Sequence, residues 1–274
     1  MLAGLLPPAG GSIEFNGHTG SQASVETRRA IGVVPQDLAI YSKLTGRENL
    51  EFFGSLYGLS GAVLADRVKS MLELVGLSDR AGSLADSYSG GMKRRLNLAA
   101  GLMHDPKLLL LDEPTVGVDP QSRNHIFEGV RELNRRGLTV LYTSHYMEEV
   151  EALCDRVGIM DNGQLVACDT VNHLIASLGG STIEIGLMPG ISAPDDVLDE
   201  IRRLDHVREV AATMASDDEA DAPVLNVRAD NPELAVAGIV QALVKHHVQF
   251  QRLDVKRPDL EDVFLSLTGK SLRD

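Results

Sequence analysis

Asp112 and Glu113 stand side by side at the end of a leucine run, Leu108 to Leu111, and Pro114 follows them. An apolar strand that delivers two adjacent carboxylates into a site supplies one anionic ligand for a divalent cation and one base to polarise water. Alone, the pair would read as two acidic residues closing an ordinary strand, so its neighbours decide its meaning. Ser89-Gly90-Gly91 lies upstream, with Asp112 placed 23 residues after Ser89. Glycines let backbone N–H groups approach an anion, and a helix opening at Gly91 or Met92 adds the positive end of its dipole. Gln36 follows Val33-Val34-Pro35, where a side-chain amide can ligate Mg²⁺ and water, although such a glutamine says little by itself. His145, 32 residues beyond Glu113, closes Thr143-Ser144-His145, and an imidazole there can hydrogen-bond a phosphate. Lys93, Arg94 and Arg95 read as a solvated helix face, and the other seven histidines form no partner pattern.

These residues need elements to hold them. Apolar residues at three-and-four spacing predict helices over 47–57, 62–75 and 91–104. Lys107 to Leu111 reads as a strand buried on both faces, as parallel sheets require. Strands are also expected at 31–34 and 139–143, and helices at 121–136 and 146–154. Met1 to Leu6 reads as the tail of a helix stopped by Pro7-Pro8 and Gly10-Gly11. Ser12 to Phe15 alternates like a strand into Asn16-Gly17, a hairpin signal, and Asp161-Asn162-Gly163 marks a second hairpin between strands 157–160 and 164–167. Strands alternating with helices predict an α/β fold with a mostly parallel core. Beyond Gly179-Gly180 the pattern is strand 182–187, helix 194–204, strand 207–214, strand 223–228, helix 232–246 and strand 248–255. An acidic turn, 216–222, separates the middle strands, and a last helix covers 259–267. That order is the β-α-β-β-α-β, ferredoxin-like arrangement.

Composition narrows the classes. The chain has 274 residues, 43% hydrophobic and 24% charged, enough for one large domain or two modest ones. The apolar stretch 234–244 falls short of the roughly 20 residues a membrane-spanning helix needs. No signal segment opens the sequence. Cys154 and Cys168 cannot make a disulfide framework and are expected as small buried hydrophobes in a reducing compartment. A net charge of −13 argues against a nucleic-acid binder. Residues 181–274 carry 18 acidic and 10 basic side chains against 21 and 16 in 1–180, which suggests two modules.

Taken in order, Gln36, Ser89-Gly90-Gly91, Asp112-Glu113, Val116-Gly117-Val118-Asp119-Pro120 and Thr143-Ser144-His145 resemble the ATP-binding subunit of an ABC transporter. The resemblance implies an ATPase domain of the P-loop class over 1–178, with a helical subdomain at about 46–105, and a small α+β accessory domain over 181–274. It implies ATP and Mg²⁺, with Gln36 and Asp112 serving the metal, Glu113 polarising water and His145 holding the γ-phosphate. Ser89, Gly90 and Gly91 would contact the γ-phosphate bound by the opposite subunit, and Asp119 sits on the loop that crosses the dimer interface. Tyr88 departs from the family's commoner leucine. Arg257 to Gly269 resembles the tail of the ABC-2, drug- and lipid-exporting branch, in which the ATP-binding subunit binds a separate integral-membrane permease. The same stretch reads as an amphipathic closing helix with Leu260, Val263, Phe264 and Leu267 inward, and both readings can hold at once. The expected assembly is a homodimer, peripheral on the cytoplasmic face of the membrane, with residues 36–57 transmitting closure to the permease.

One part is missing. The 274 residues contain no G-x-x-x-x-G-K-[ST], the Walker A loop whose N–H groups and lysine cradle phosphates. In the family that loop feeds a helix ending like Met1 to Pro8, so the resemblance implies an incomplete P-loop domain and a native chain some tens of residues longer. The lost strand is expected beside Lys107–Leu111, and the chain as given is expected to be inactive alone. The alternative is a non-hydrolytic subunit that lends Ser89-Gly90-Gly91 to an intact ATPase in a heterodimer.

Overall fold

The computed structural model describes residues 1–15, 18–19, 25–214 and 223–269. The chain folds as two compact units, Met1–Leu153 and Cys154–Asp274.

In the first unit, Met1 to Leu6 forms turns rather than the end of a helix, closed by Gly4 N–H donating to the Met1 carbonyl at 2.8 Å. Gly4 takes φ 73°, outside the right-handed helical region. β1 (Glu14–Phe15) pairs antiparallel with β2 (His18–Thr19); the expected Asn16-Gly17 turn lies outside the described residues. After α1 (Val25–Arg29) come β3 (Ile31–Val34), α2 (Gly46–Leu56), α3 (Gly61–Leu74) and α4 (Gly90–Gly101). Then follow β4 (Leu108–Asp112), α5 (Pro120–Arg135), β5 (Thr139–Thr143) and α6 (Met147–Leu153). These bounds lie close to those the periodicity predicts, and α2, α4 and α5 open at caps the sequence spells out. Thr45 and Glu48 form a reciprocal capping box on α2, Ser89 caps α4, and Asp119 with Pro120 opens α5.

β3, β4 and β5 form a parallel sheet in that order, with Val33 opposite Leu110 and Leu110 opposite Leu141. β4 is therefore hydrogen-bonded along both edges, and a further strand beside it, as the sequence suggested, has no edge to join. The strand is also not buried on both faces. Leu109 and Leu111 are fully buried with Val34 against Leu98, Ile126 and Val130, whereas Leu108 and Leu110 are half-buried. Val33 and Leu141, which flank Leu110, are 42% and 44% exposed. On the covered face α4 approaches β3 at backbone distance. A Cβ on Gly32 would sit 2.6 Å from the Gly101 carbonyl oxygen, so only glycine fits there.

The second unit opens with a hairpin, β6 (Arg156–Asp161) and β7 (Gln164–Thr170), turning through Asn162 and Gly163 at φ 48° and 77°. Cys168 on β7 is exposed and Cys154 half-buried, contrary to the expectation of two buried thiols, because neither side chain points into a core cluster. A short helix that the periodicity did not suggest, α7 (Val171–Ser177), follows under a Thr170 cap. β8 (Ser181–Leu187), α8 (Asp195–Arg202), β9 (Val207–Met214), β10 (Pro223–Ala229), α9 (Pro232–Lys245) and β11 (Phe250–Lys256) come next. The four strands form one antiparallel sheet in the order β11-β8-β10-β9. Ile183, Ile185, Leu225 and Val227 pack from the sheet against Val197, Ile201, Ile239 and Leu243 of the two helices. The acidic 216–222 turn lies outside the described residues. α10 (Leu260–Thr268) closes the unit against α7 and buries Leu260 and Val263. Leu267, expected inward, is 46% exposed.

Candidate active site

The chemistry-bearing residues gather at the carboxyl ends of the parallel strands, where open α/β sheets place their sites. β4 ends in Asp112, whose Oδ1 accepts from Thr143 Oγ1 of β5 at 2.7 Å. Glu113 leaves the ladder. Its N–H still donates to the Thr143 carbonyl at 3.2 Å, but its backbone turns to φ 43°, in the left-handed region that non-glycine residues avoid. That turn presents the carboxylate to two partners. Gln36 Nε2, just past β3, donates to Oε2 at 3.1 Å, and His145 Nδ1, just past β5, lies 3.2 Å from Oε1. The three residues predicted to share one reaction centre are thus in hydrogen-bond contact, although 77 positions separate Gln36 from Glu113. The His145 ring packs on Tyr146 at 4.1 Å, which limits its swing.

The glycine segment is built differently. Ser89 Oγ accepts from Met92 N–H at 3.2 Å and so fixes the start of α4. A Cβ on Gly90 would meet nothing within 4 Å, leaving that turn open to an approaching group. A Cβ on Gly91 would lie 2.1 Å from Ser122 Oγ and 2.9 Å from Asp119 Oδ2, so the α4 and α5 N-termini touch where Gly91 lacks a side chain. Asp119 accepts from Ser122 N–H at 2.9 Å, and that backbone hydrogen bond holds its carboxyl below the usual range. Its contacts are those of a helix cap. Tyr88, in place of the commoner leucine, is buried with its hydroxyl donating to the Arg80 carbonyl at 2.7 Å, and burial pushes its pKa up.

Arg94 and Arg95 of α4 do not belong to a solvated face. Arg94 donates to the Gln36 carbonyl. Arg95 donates to the carbonyls of Val75 at 2.7 Å and Gly76 at 3.2 Å, tying α4 to the end of α3, and its partial burial lowers its pKa. Asn97, 2% exposed, accepts from Ala39 N–H at 3.0 Å and donates to the Pro35 carbonyl at 3.3 Å. Arg94 and Asn97 together clamp the loop that carries Gln36. The sequence held one available signal, an asparagine inside the apolar stripe of a helix, which demands a buried partner.

A divalent cation fits this donor set on chemical grounds. Asp112 and Gln36 offer one carboxylate and one amide oxygen, and Mg²⁺ is held by one or two carboxylates with phosphate and water completing the shell. No cluster of three or more His, Cys, Asp or Glu side chains forms an all-protein metal cage among the described residues.

The comparisons bear on the same segments. The family model described as ABC transporter matches residues 1–116. The linearmycin resistance ATP-binding protein of Bacillus subtilis (strain 168) is 44% identical over 274 residues, covering 100% of this chain and 86% of that protein. The chain belongs to the ABC transporter ATP-binding family. The daunorubicin/doxorubicin resistance ATP-binding protein of Streptomyces peucetius is 36% identical, covering 98% of this chain and 79% of its own. The Nod factor export ATP-binding protein I of Ralstonia nicotianae is also 36% identical, over 100% of this chain and 81% of that one. Among solved structures, cbiO1 of Clostridium perfringens, part of the ABC transporter complex cbiONQ, superposes with a TM-score of 0.58 at 26% identity, covering 65% of this chain and 72% of that one. The α/β fold is that of an ABC ATPase.

Proposed function

We propose that this chain is the ATP-hydrolysing subunit of an ABC-2-type exporter, bound from the cytoplasmic side to a separate integral-membrane permease. The observation that carries the reading is Glu113, held in one contact group with Gln36 and His145 and turned out of its strand to reach them. The relatives' names, which speak of drug resistance and of export, support the transport direction. No helix among the described residues is long and apolar enough to cross a membrane, which suits a subunit whose permease is another polypeptide.

Glu113 takes a proton from the attacking water, and Gln36 holds the carboxylate in place. His145 donates to the γ-phosphate and buttresses Glu113 from the other side. Asp112 and Gln36 would hold Mg²⁺, which neutralises charge on the phosphates when bound. Ser89, Gly90 and Gly91 address the phosphate in the opposite subunit, so two chains make two composite sites. Asp119 packs on Gly91 and carries the segment that crosses between subunits. We read 1–178 as the ATPase domain, with its helical subdomain at about 46–105, and 181–274 as a ferredoxin-like accessory domain, supported by the β11-β8-β10-β9 strand order. The absence of a G-x-x-x-x-G-K-[ST] from the 274 residues favours one second reading, a subunit that lends Ser89-Gly90-Gly91 to an intact ATPase in a heterodimer.

The test is purification of the tagged protein from its own cells in detergent. We expect a multi-span membrane protein in the complex and ATP turnover that Glu113→Gln lowers by about a hundredfold or more, within the range for losing a general base. Turnover that survives Glu113→Gln, or a complex with no membrane protein, would overturn the reading. Intact mass of the ATP-binding subunits in that complex separates homodimer from heterodimer.

A further inference from the structure

Glu149 is a buried carboxylate that the mechanism above leaves unused. Its side chain, on α6, is 2% exposed. Oε2 accepts from Thr115 Oγ1 at 2.7 Å, from the Tyr142 hydroxyl at 2.8 Å and from Ser144 Oγ at 3.1 Å. Oε1 lies 3.4 Å from Arg123 Nε, an ion pair outside hydrogen-bond geometry. A buried carboxylate is costly unless it is paired and hydrogen-bonded, so donors placed around one are held in common.

The origin of those donors is the informative part. Thr115 stands two residues beyond Glu113. Ser144 immediately precedes His145, and its Oγ also accepts from Tyr146 N–H at 3.0 Å, which closes the turn that carries the imidazole. Tyr142 belongs to β5 and Arg123 to the first turns of α5, whose guanidinium also lies 5.6 Å over the Tyr146 ring. One oxygen atom thus ties the segment after Glu113 to the segment before His145.

We propose that Glu149 is a positioning residue that fixes Glu113 and His145 in register by clamping Thr115 and Ser144. It touches no reacting atom and acts through the two loops. The proposal rests on the reading of Glu113 as the base, and its test separates the two. In the complex isolated from its own cells, Glu149→Gln puts an amide N–H₂ against Arg123 or against the hydroxyls. We expect kcat to fall about tenfold or more while KM for ATP stays within about twofold, the pattern of a lost transition-state arrangement. Thr115→Val, which removes one donor, lowers kcat in the same way, and Thr115→Ser, which keeps it, restores kcat to within about twofold. On a Glu113→Gln background, Glu149→Gln adds no further loss. An unchanged kcat in Glu149→Gln, a Thr115→Ser variant as slow as Thr115→Val, or an additive loss on the Glu113→Gln background each overturns the proposal. Absence of turnover in the wild-type complex would instead remove the hydrolytic reading. Amide exchange on the 274-residue chain then decides the Glu149 question alone. Glu149→Gln should raise exchange at 113–118 and 143–146 together and leave α3 unchanged; unchanged exchange at either segment overturns the clamp.

Discussion

Glu113 carries a cost that its neighbours sustain. A left-handed backbone at a residue with a Cβ costs roughly 1–2 kcal/mol, and the following Pro114 narrows its options further. Replacing it with glycine removes that strain. We therefore expect Glu113→Gly to raise the melting temperature of the purified chain by about 2–4 °C while abolishing turnover of the complex. A lowered melting temperature would show that the Gln36 and His145 contacts outweigh the backbone strain. At this scale much of the site was readable in advance. Gln36, Asp112, Glu113 and His145 could be singled out because the family resemblance rests on those side-chain identities in that order, and Gln36, Glu113 and His145 do meet. Arg94, Arg95 and Asn97 were not, because their partners are backbone groups, the carbonyls of Gln36, Val75, Gly76 and Pro35 and the Ala39 N–H. A carbonyl looks the same in every residue, so nothing in the sequence names it as a partner.

The elements were legible where a cap or a breaker marks them, and misread where tertiary packing decides. α2 shows the first case. Its Glu48 carboxyl lies below the usual range because it accepts from the Thr45 backbone and hydroxyl. A lowered pKa gives stability above the ordinary carboxylate range near 4.5 that is lost as pH falls through the folded value. Glu48→Ala should therefore melt below wild type at pH 7, with the gap closing once the pH passes below the folded pKa. A gap that persists there would assign the effect to helix propensity instead. β4 shows the second case: four leucines announce a strand, but not which strands flank it or that Leu110 keeps one face half-open. The two glycines of the α4 entrance make a matched pair. Gly91→Ala, with its Cβ driven onto Ser122, should cost about 1–3 kcal/mol, as overpacking does, whereas Gly90→Ala should leave the melting temperature nearly unchanged. Equal effects at the two positions would mean that the contact with Ser122 relaxes freely.

For the whole molecule, the most direct expectation concerns the 274 residues by themselves. Phosphoryl transfer is mostly positioning and charge stabilisation, and the 274 residues contain no G-x-x-x-x-G-K-[ST], the loop whose lysine would span the β- and γ-phosphates. Purified in isolation, this chain should show no ATP turnover above a Glu113→Gln control. Turnover that depends on Glu113 would mean that other groups in these residues take over the phosphate-holding task. Membership of the family was readable from five spaced motifs, because the spacing of a composite site survives in the order of its parts. The uncovered Val33–Leu110–Leu141 row and the exposed Cys168 were not, since exposure belongs to the assembled sheet and not to any one residue. The meeting of Gly91 with Ser122 and Asp119 has a mechanical meaning as well. Side chains act as springs between helices, and here the spring has been left out. Dense interiors transmit strain with little compression. A push on the α4 entrance therefore arrives at the α5 entrance almost undiminished, so the two move as one stiff corner when a second subunit closes on either.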